Sequence, residues 1–232
     1  MIRIRSAAER GHFDHGWLNT WHTFSFADYH DDRHMGFRAL RVMNEDIVAG
    51  GGGFPMHGHR DMEIVTYVLR GELEHRDSLG NHGVIRPGVV QRMSAGTGIL
   101  HSEFNASPGQ ACHLYQIWLL PRQRGLTPGY EERSLPSHDQ AGRLVLVASP
   151  DGAEGSTTIG TDARLWAARL NPGQEVRLPV AKGRHAWLQV TRGGCLLNGL
   201  ALATSDGAAI SDESELQVQA TSDTEFLLFD LA

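Results

Sequence analysis

The chain has 232 residues, 41% hydrophobic and 21% charged, enough for one large β domain or two small ones. A formal net charge of -6 with no dense Lys/Arg run gives general nucleic-acid binding no electrostatic support. No stretch approaches the ~18 apolar residues of a membrane span, and the opening MIRIRSAAERGHFDHGW holds no apolar segment of signal-peptide length, so a cytoplasmic location is expected.

In chain order, Phe37 to Val42 alternates with period two and reads as a strand. Met62 to Leu69 is rich in β-branched and aromatic residues and stops at Arg70-Gly71. Glu72 to Arg76 alternates, Ser78-Leu79-Gly80-Asn81 reads as a turn, and Val89 to Met93 and His113 to Leu120 are further strands, the last ended by Pro121. Residues 121–140 carry three prolines and two glycines among polar groups, the composition of a linker. Strand-like runs resume at Leu144 to Ala148, Arg164 to Leu170, Ala186 to Val190, Cys195 to Leu197, Glu215 to Gln219 and Glu225 to Leu231. No long window has a helical period, so an all-β sandwich or barrel is expected rather than α/β.

The halves read as a weak repeat. Tyr67-Val68-Leu69-Arg70-Gly71 resembles Gln189-Val190-Thr191-Arg192-Gly193, and Pro87-Gly88-Val89-Val90 resembles Asp206-Gly207-Ala208-Ala209. With Gly71 and Gly193 aligned, His57 and His59 fall on Pro179 and Ala181, so the second copy has lost any equivalent site.

Of 13 histidines, 11 precede residue 120; His138 and His185 are the exceptions. Metal or proton chemistry therefore belongs to the first half. His12, His15, His30, His34, His75 and His82 read as surface polar residues. Cys112 and Cys195 read as free thiols suited to a reducing compartment.

Two segments carry the chemistry: Gly51-x5-His57-Gly58-His59-x3-Glu63, and Gly98-Ile99-Leu100-His101-Ser102-Glu103-Phe104-Asn105. Residues i and i+2 of a strand share a face, so His57 and His59 aim into one space, as do His101 and Glu103 from a second strand. Three imidazoles and a carboxylate suit a borderline divalent transition metal, and the lack of thiolate argues against a structural zinc site. Spacing alone leaves two carboxylates in competition, since Glu63 lies four residues beyond His59.

These residues resemble the cupin superfamily and, within it, the pirin family. The first cupin motif, G-x5-H-x-H-x3-E-x6-G, is met by Gly51, His57, His59 and Glu63, with seven residues rather than six before Gly71. The second, P-x-G-x2-H-x3-N, is met by Gly98, His101 and Asn105, with Gly96 in place of Pro. The pirin likeness rests on His101-Ser102-Glu103, on Trp21 to Phe26, on Met35-Gly36-Phe37, on Leu40 to Asp46 and on His113 to Trp118, and is dense over residues 10–130. Gly58 departs from it where Pro is common.

The resemblance implies an all-β bicupin of two tandem jelly-roll β-barrel domains: an N-terminal metal-binding cupin domain, 1–135, and a C-terminal degenerate cupin domain without metal ligands, 136–232. It implies His57, His59, His101 and Glu103 as the metal ligands, with Glu63 supporting or structural. One divalent transition metal per chain is expected, Fe(II) favoured, with Ni, Cu, Mn, Co or Zn compatible. The implied activity is that of a quercetin 2,3-dioxygenase: a flavonol and O₂ give a ring-opened depside and carbon monoxide, with Glu103 as catalytic general base. Phe24, Phe26, Phe54, Met56 and Trp118 are candidates to line a slot for a planar aromatic substrate, with His22 and Gln116 orienting ligand or water. The expected assembly is a monomer that meets neither nucleic acid nor membrane. The alternatives are a pirin-like regulator or interaction protein with redox-sensitive iron, or a cupin acting on another small metabolite.

Overall fold

The computed structural model describes residues 1–135 and 142–232. His138 and the end of the expected linker lie outside the described residues. In chain order the strands are β1 (Ile2–Arg5), β2 (Gly11–Asp14), β3 (Leu18–His22), β4 (Leu40–Val48), β5 (Gly53–His59), β6 (Glu63–Arg70), β7 (Leu73–Asp77), β8 (His82–Ile85), β9 (Val89–Ser94), β10 (Ile99–Asn105), β11 (Cys112–Leu119) and β12 (Gly129–Ser134). There follow β13 (Leu144–Ser149), β14 (Thr157–Thr158), β15 (Ala163–Leu170), β16 (Glu175–Pro179), β17 (His185–Arg192), β18 (Gly194–Leu197), β19 (Leu200–Ala203), β20 (Gly207–Ser211), β21 (Glu215–Ala220) and β22 (Thr224–Leu231). The described residues contain no α-helix, only short 3-10 turns such as Ala7–Glu9 and Asp32–His34, so the all-β expectation holds.

The chain divides into two units, one of Gly11–Leu135 and Thr157–Thr161, the other of Met1–Arg10, 142–156 and Asp162–Ala232. The division is therefore not a single cut in sequence: β1 pairs with β20, Ile2 opposite Ile210, within the second unit. The first unit is an antiparallel sandwich with sheet orders β12-β9-β6-β11-β4-β3-β2 and β5-β10-β7-β8. Its β6 is buried from Glu63 to Val68, which is why this strand reads as a continuous β-branched and aromatic run rather than an alternating one. Leu18, Val48, Val68, Leu73, Ile85 and Leu114, drawn from both sheets, form one apolar cluster, and Ile64, Met93, Ala95 and Ile99 form another.

Two local expectations are corrected. The strand expected from Phe37 starts at Leu40, because Phe37 and Leu40 bridge each other across a turn in which Arg38 has φ 55. The Pro/Gly-rich segment after Pro121 is not all linker: Gly129–Ser134 pairs with β9 as the sheet's edge strand.

In the second unit the orders are β20-β17-β22-β15 and β16-β21-β18-β19, the same as β9-β6-β11-β4 and β5-β10-β7-β8 of the first. Gly71 and Gly193 end the equivalent strands β6 and β17 at φ 82 and 77, a conformation that favours glycine. Where β5 and β10 carry histidines and a glutamate, β16 and β21 bring Val176, Leu178, Leu216 and Val218 into an apolar core cluster or against it. The repeat is thus one strand plan with two fillings, polar in one copy and hydrocarbon in the other.

Candidate metal centre

Strand β10 pairs with β5 on one side and β7 on the other. His101 stands opposite His57 and opposite Asp77, and Glu103 opposite Phe54 and His75. A register shift in the β5 pairing between His101 and Glu103 brings the backbones close at Gly53, where any Cβ would lie 2.4 Å from the Glu103 carbonyl oxygen.

The rings of His57, His59 and His101 form a triangle with centroid separations of 4.8, 4.4 and 4.9 Å. One nitrogen from each lies within 4.8 Å of the others, and an overlapping group joins His75, His101 and Glu103. His57 Nδ1 donates to the Pro55 carbonyl at 2.7 Å, which leaves its Nε2 lone pair for another partner. His101 is 1% exposed, yet its Nε2 has no hydrogen-bond partner. Burial, then the neighbouring His57, pushes the His59 pKa down to about 4, and burial with the other histidines pushes His101 further down. Both rings are therefore neutral and offer lone pairs.

Glu103 is buried, which raises its pKa to about 7 against the opposing bond from Gln116. Gln116 Nε2 lies 3.2 and 2.9 Å from the two Glu103 oxygens, and Thr66 Oγ1 donates to Gln116 Oε1 at 3.1 Å, which fixes the amide orientation. In the metal-free protein, Gln116→Leu is expected to cost about 1–3 kcal/mol in chemical denaturation, since buried Glu103 loses the amide that contacts both its oxygens. The donor set fits a divalent cation: neutral imidazoles, one buried nitrogen without a partner, and a carboxylate whose burial nothing positive offsets.

Glu63 lies outside both groups. It accepts from Ser94 Oγ at 2.7 Å, and burial raises its pKa against that bond. Glu63→Ala is expected to lower stability by about 1–3 kcal/mol while leaving metal stoichiometry, read by elemental analysis, unchanged.

The cluster opens into a cavity of about 260 Å³. Phe26, Phe54, Ile64 and Trp118 supply apolar walls, and Thr20, Asn44 and Asp46 a polar one. His22 and Gln116 also line it. Phe24 is instead packed in the core at 2% exposure and Met56 faces outward at 56%. Burial raises the Asp46 pKa to about 6, against the bond from Thr20 Oγ1.

His75 is the functional residue that sequence reading misassigned. It is wholly buried rather than on the surface, and it touches His101. The available signal was its own i, i+2 pair, His75-x-Asp77, on a strand already read as alternating.

Two β units of one strand order, one enclosing three imidazoles and a buried carboxylate, define a bicupin. Residues 3–119 match the family model described as Pirin, and residues 146–231 the one described as Quercetinase C-terminal cupin domain. A quercetin 2,3-dioxygenase of Escherichia coli (strain K12) is 49% identical over 231 residues, covering 100% of this chain and 99% of its own. A pirin-like protein of Caulobacter vibrioides is 42% identical over 234 residues, covering 100% of both chains. The crystal structure of YhhW from Escherichia coli matches with TM-score 0.97 at 48% identity, covering 100% of this chain and 98% of that one. The nickel(II) complex of that bacterial pirin matches with TM-score 0.95 at 48% identity, covering 100% and 99%. The chain belongs to the pirin family.

Proposed function

We propose that this protein is a metal-dependent dioxygenase of the quercetin 2,3-dioxygenase class, cleaving a flavonol with O₂ to a depside and carbon monoxide. The observation that carries the reading is the convergence of three imidazoles and the amide-held Glu103 on one cavity with aromatic walls. His57, His59, His101 and Glu103 are the proposed ligands of one divalent transition metal. Nickel(II) in the complex of a relative supports the metal class, and Fe(II) is proposed as the native ion. When bound, such an ion lowers the pKa of a substrate hydroxyl and holds the resulting oxyanion.

The chain's own residues do the rest. Phe54 and Trp118 face the cavity from β5 and β11 and would sandwich a planar ring system. Glu103 would take the proton of the flavonol 3-hydroxyl onto a carboxylate oxygen while Gln116 holds the group in place. The apolar walls would limit water around the deprotonated substrate.

The proposed domains are 1–135 for the metal-binding cupin and 136–232 for the ligand-free copy, supported by the two matched spans, except that Met1–Arg10 packs with the second unit and Thr157–Thr161 with the first. A monomer is proposed, since all four ligands come from one chain. Two free buried thiols, Cys112 and Cys195, support a reducing compartment such as the cytoplasm. No helix among the described residues is long and apolar enough to cross a membrane.

The test is anaerobic loading of apo protein with Fe(II), Ni(II), Mn(II), Co(II) or Cu(II), followed by quercetin and O₂. Carbon monoxide release that depends on the metal supports the reading. Stoichiometric binding of every metal without turnover would replace it with a metal-binding regulator.

A further inference from the structure

Asp77, His75 and His101 form a buried line of side chains that ends at the imidazole triangle. Asp77 Oδ2 lies 3.2 Å from His75 Nε2, and both side chains are fully buried. His75 Nδ1 faces His101 Nδ1 at 3.5 Å and the Gln91 amide Nε2 at 3.2 Å. Tyr130, from the edge strand β12, stacks on the His75 ring at 4.7 Å and 28°. Asp77 is itself anchored, accepting from the backbone N–H groups of Leu79 and Asn81 and from Asn81 Nδ2.

The proton positions follow from donor and acceptor counting. A neutral imidazole has one N–H and one lone pair, and a carboxylate only accepts. The His75 proton therefore sits on Nε2, facing Asp77, and its Nδ1 carries the lone pair. Two lone pairs facing each other at 3.5 Å would repel, so His101 presents Nδ1–H there and shares that acceptor with the Gln91 N–H. Its own lone pair falls on Nε2, the buried atom without a partner. His75 itself has no nitrogen to spare for a metal, since Asp77 occupies one and Gln91 and His101 the other. This separates the two overlapping groups: His75 supports a ligand and is not one.

We infer that His75, held by Asp77, Gln91 and Tyr130, is a positioning residue that fixes His101 in its Nδ1–H tautomer and aims its Nε2 lone pair at the metal. The inference rests on the proposed role of His101 as a ligand. His57 receives the same service from the Pro55 carbonyl, so two of the three imidazoles are set before a metal arrives.

Long-range ¹H–¹⁵N spectra of the metal-free wild-type protein test the tautomers directly. His75 is expected as Nε2–H and His101 as Nδ1–H; the opposite tautomer on either ring overturns the inference. Anaerobic nickel(II) titrations of wild type, His75→Phe, His75→Asn and His101→Ala test the consequence. His75→Phe, which keeps a ring but offers no acceptor, is expected to bind nickel about 10–100-fold more weakly. His75→Asn, which places an oxygen near the Nδ1 position, is expected to recover most of that loss. Wild-type affinity in folded His75→Phe, or equal losses in both variants, would sink the positioning role. Should His75→Phe fail to fold, the wild-type spectra and the Asn titration still decide. Wild-type affinity in His101→Ala would instead refute the ligand reading beneath it, whereas loss there with none in His75→Phe rejects the positioning role alone.

Discussion

His101→Ala is expected to leave a folded protein that holds no stoichiometric metal and releases no carbon monoxide from quercetin. His101 is the residue common to both metal-competent groups, and its buried Nε2 has no hydrogen-bond partner among the described residues. Removing the ring takes away a proposed ligand and leaves the lone pair of His75 Nδ1 with Gln91 alone. Folding is expected to survive, because the apolar clusters that join the two sheets do not include this ring. Elemental analysis after dialysis gives the first readout and gas-phase carbon monoxide the second. His82→Ala is the matched control: that ring is exposed and pairs with Glu74, so metal content and turnover are expected to stay at wild-type levels. Metal retained at full occupancy by His101→Ala would refute the proposed ligand set.

The parts of this site that a sequence reveals are those set by strand parity. His57 with His59, and His101 with Glu103, are i, i+2 pairs, and both pairs do face one cavity. Parity failed where the chain leaves a strand. Glu63 looks coplanar with His59 only if the strand is continuous, but Asp61 takes φ 50 and the chain crosses from the four-stranded sheet to the seven-stranded one. His59 and Glu63 therefore belong to different sheets, and counting between them carries no meaning. His75 was missed for a different reason, since nothing in a histidine's identity says whether water or a neighbour's ring covers it. Tyr130 was missed because an edge strand such as β12, Gly129–Ser134, needs only one buried face and here carries Glu131, Glu132 and Arg133 on its way. Local composition then reads as linker even where the tertiary contact is specific. The second unit shows the converse: its likeness to the first was legible in the aligned segments ending at Gly71 and Gly193, while its apolar filling was legible only as missing histidines.

Glu103→Gln separates the two roles assigned to Glu103. The substitution keeps shape and one oxygen and removes the charge, and the amide cannot take up a proton at a working pH. Gln116 is locked by Thr66 with its NH₂ toward position 103, so the new side chain must turn its carbonyl oxygen to Gln116 and its own NH₂ elsewhere. The three imidazoles are untouched, so metal is expected to bind, more weakly than in wild type. If Glu103 takes the substrate proton, kcat in fully loaded protein falls by about 10²–10⁴-fold, the usual worth of a positioned base. Flavonol affinity should change far less, because the aromatic walls are unaltered. A metal-saturated Glu103→Gln protein that turns over near the wild-type rate would remove the base role and leave Glu103 as a ligand. Loss of metal in proportion to the loss of activity would point the same way, since the rate per bound metal is then unchanged, and for that reason the assay must report rate per bound metal rather than per chain.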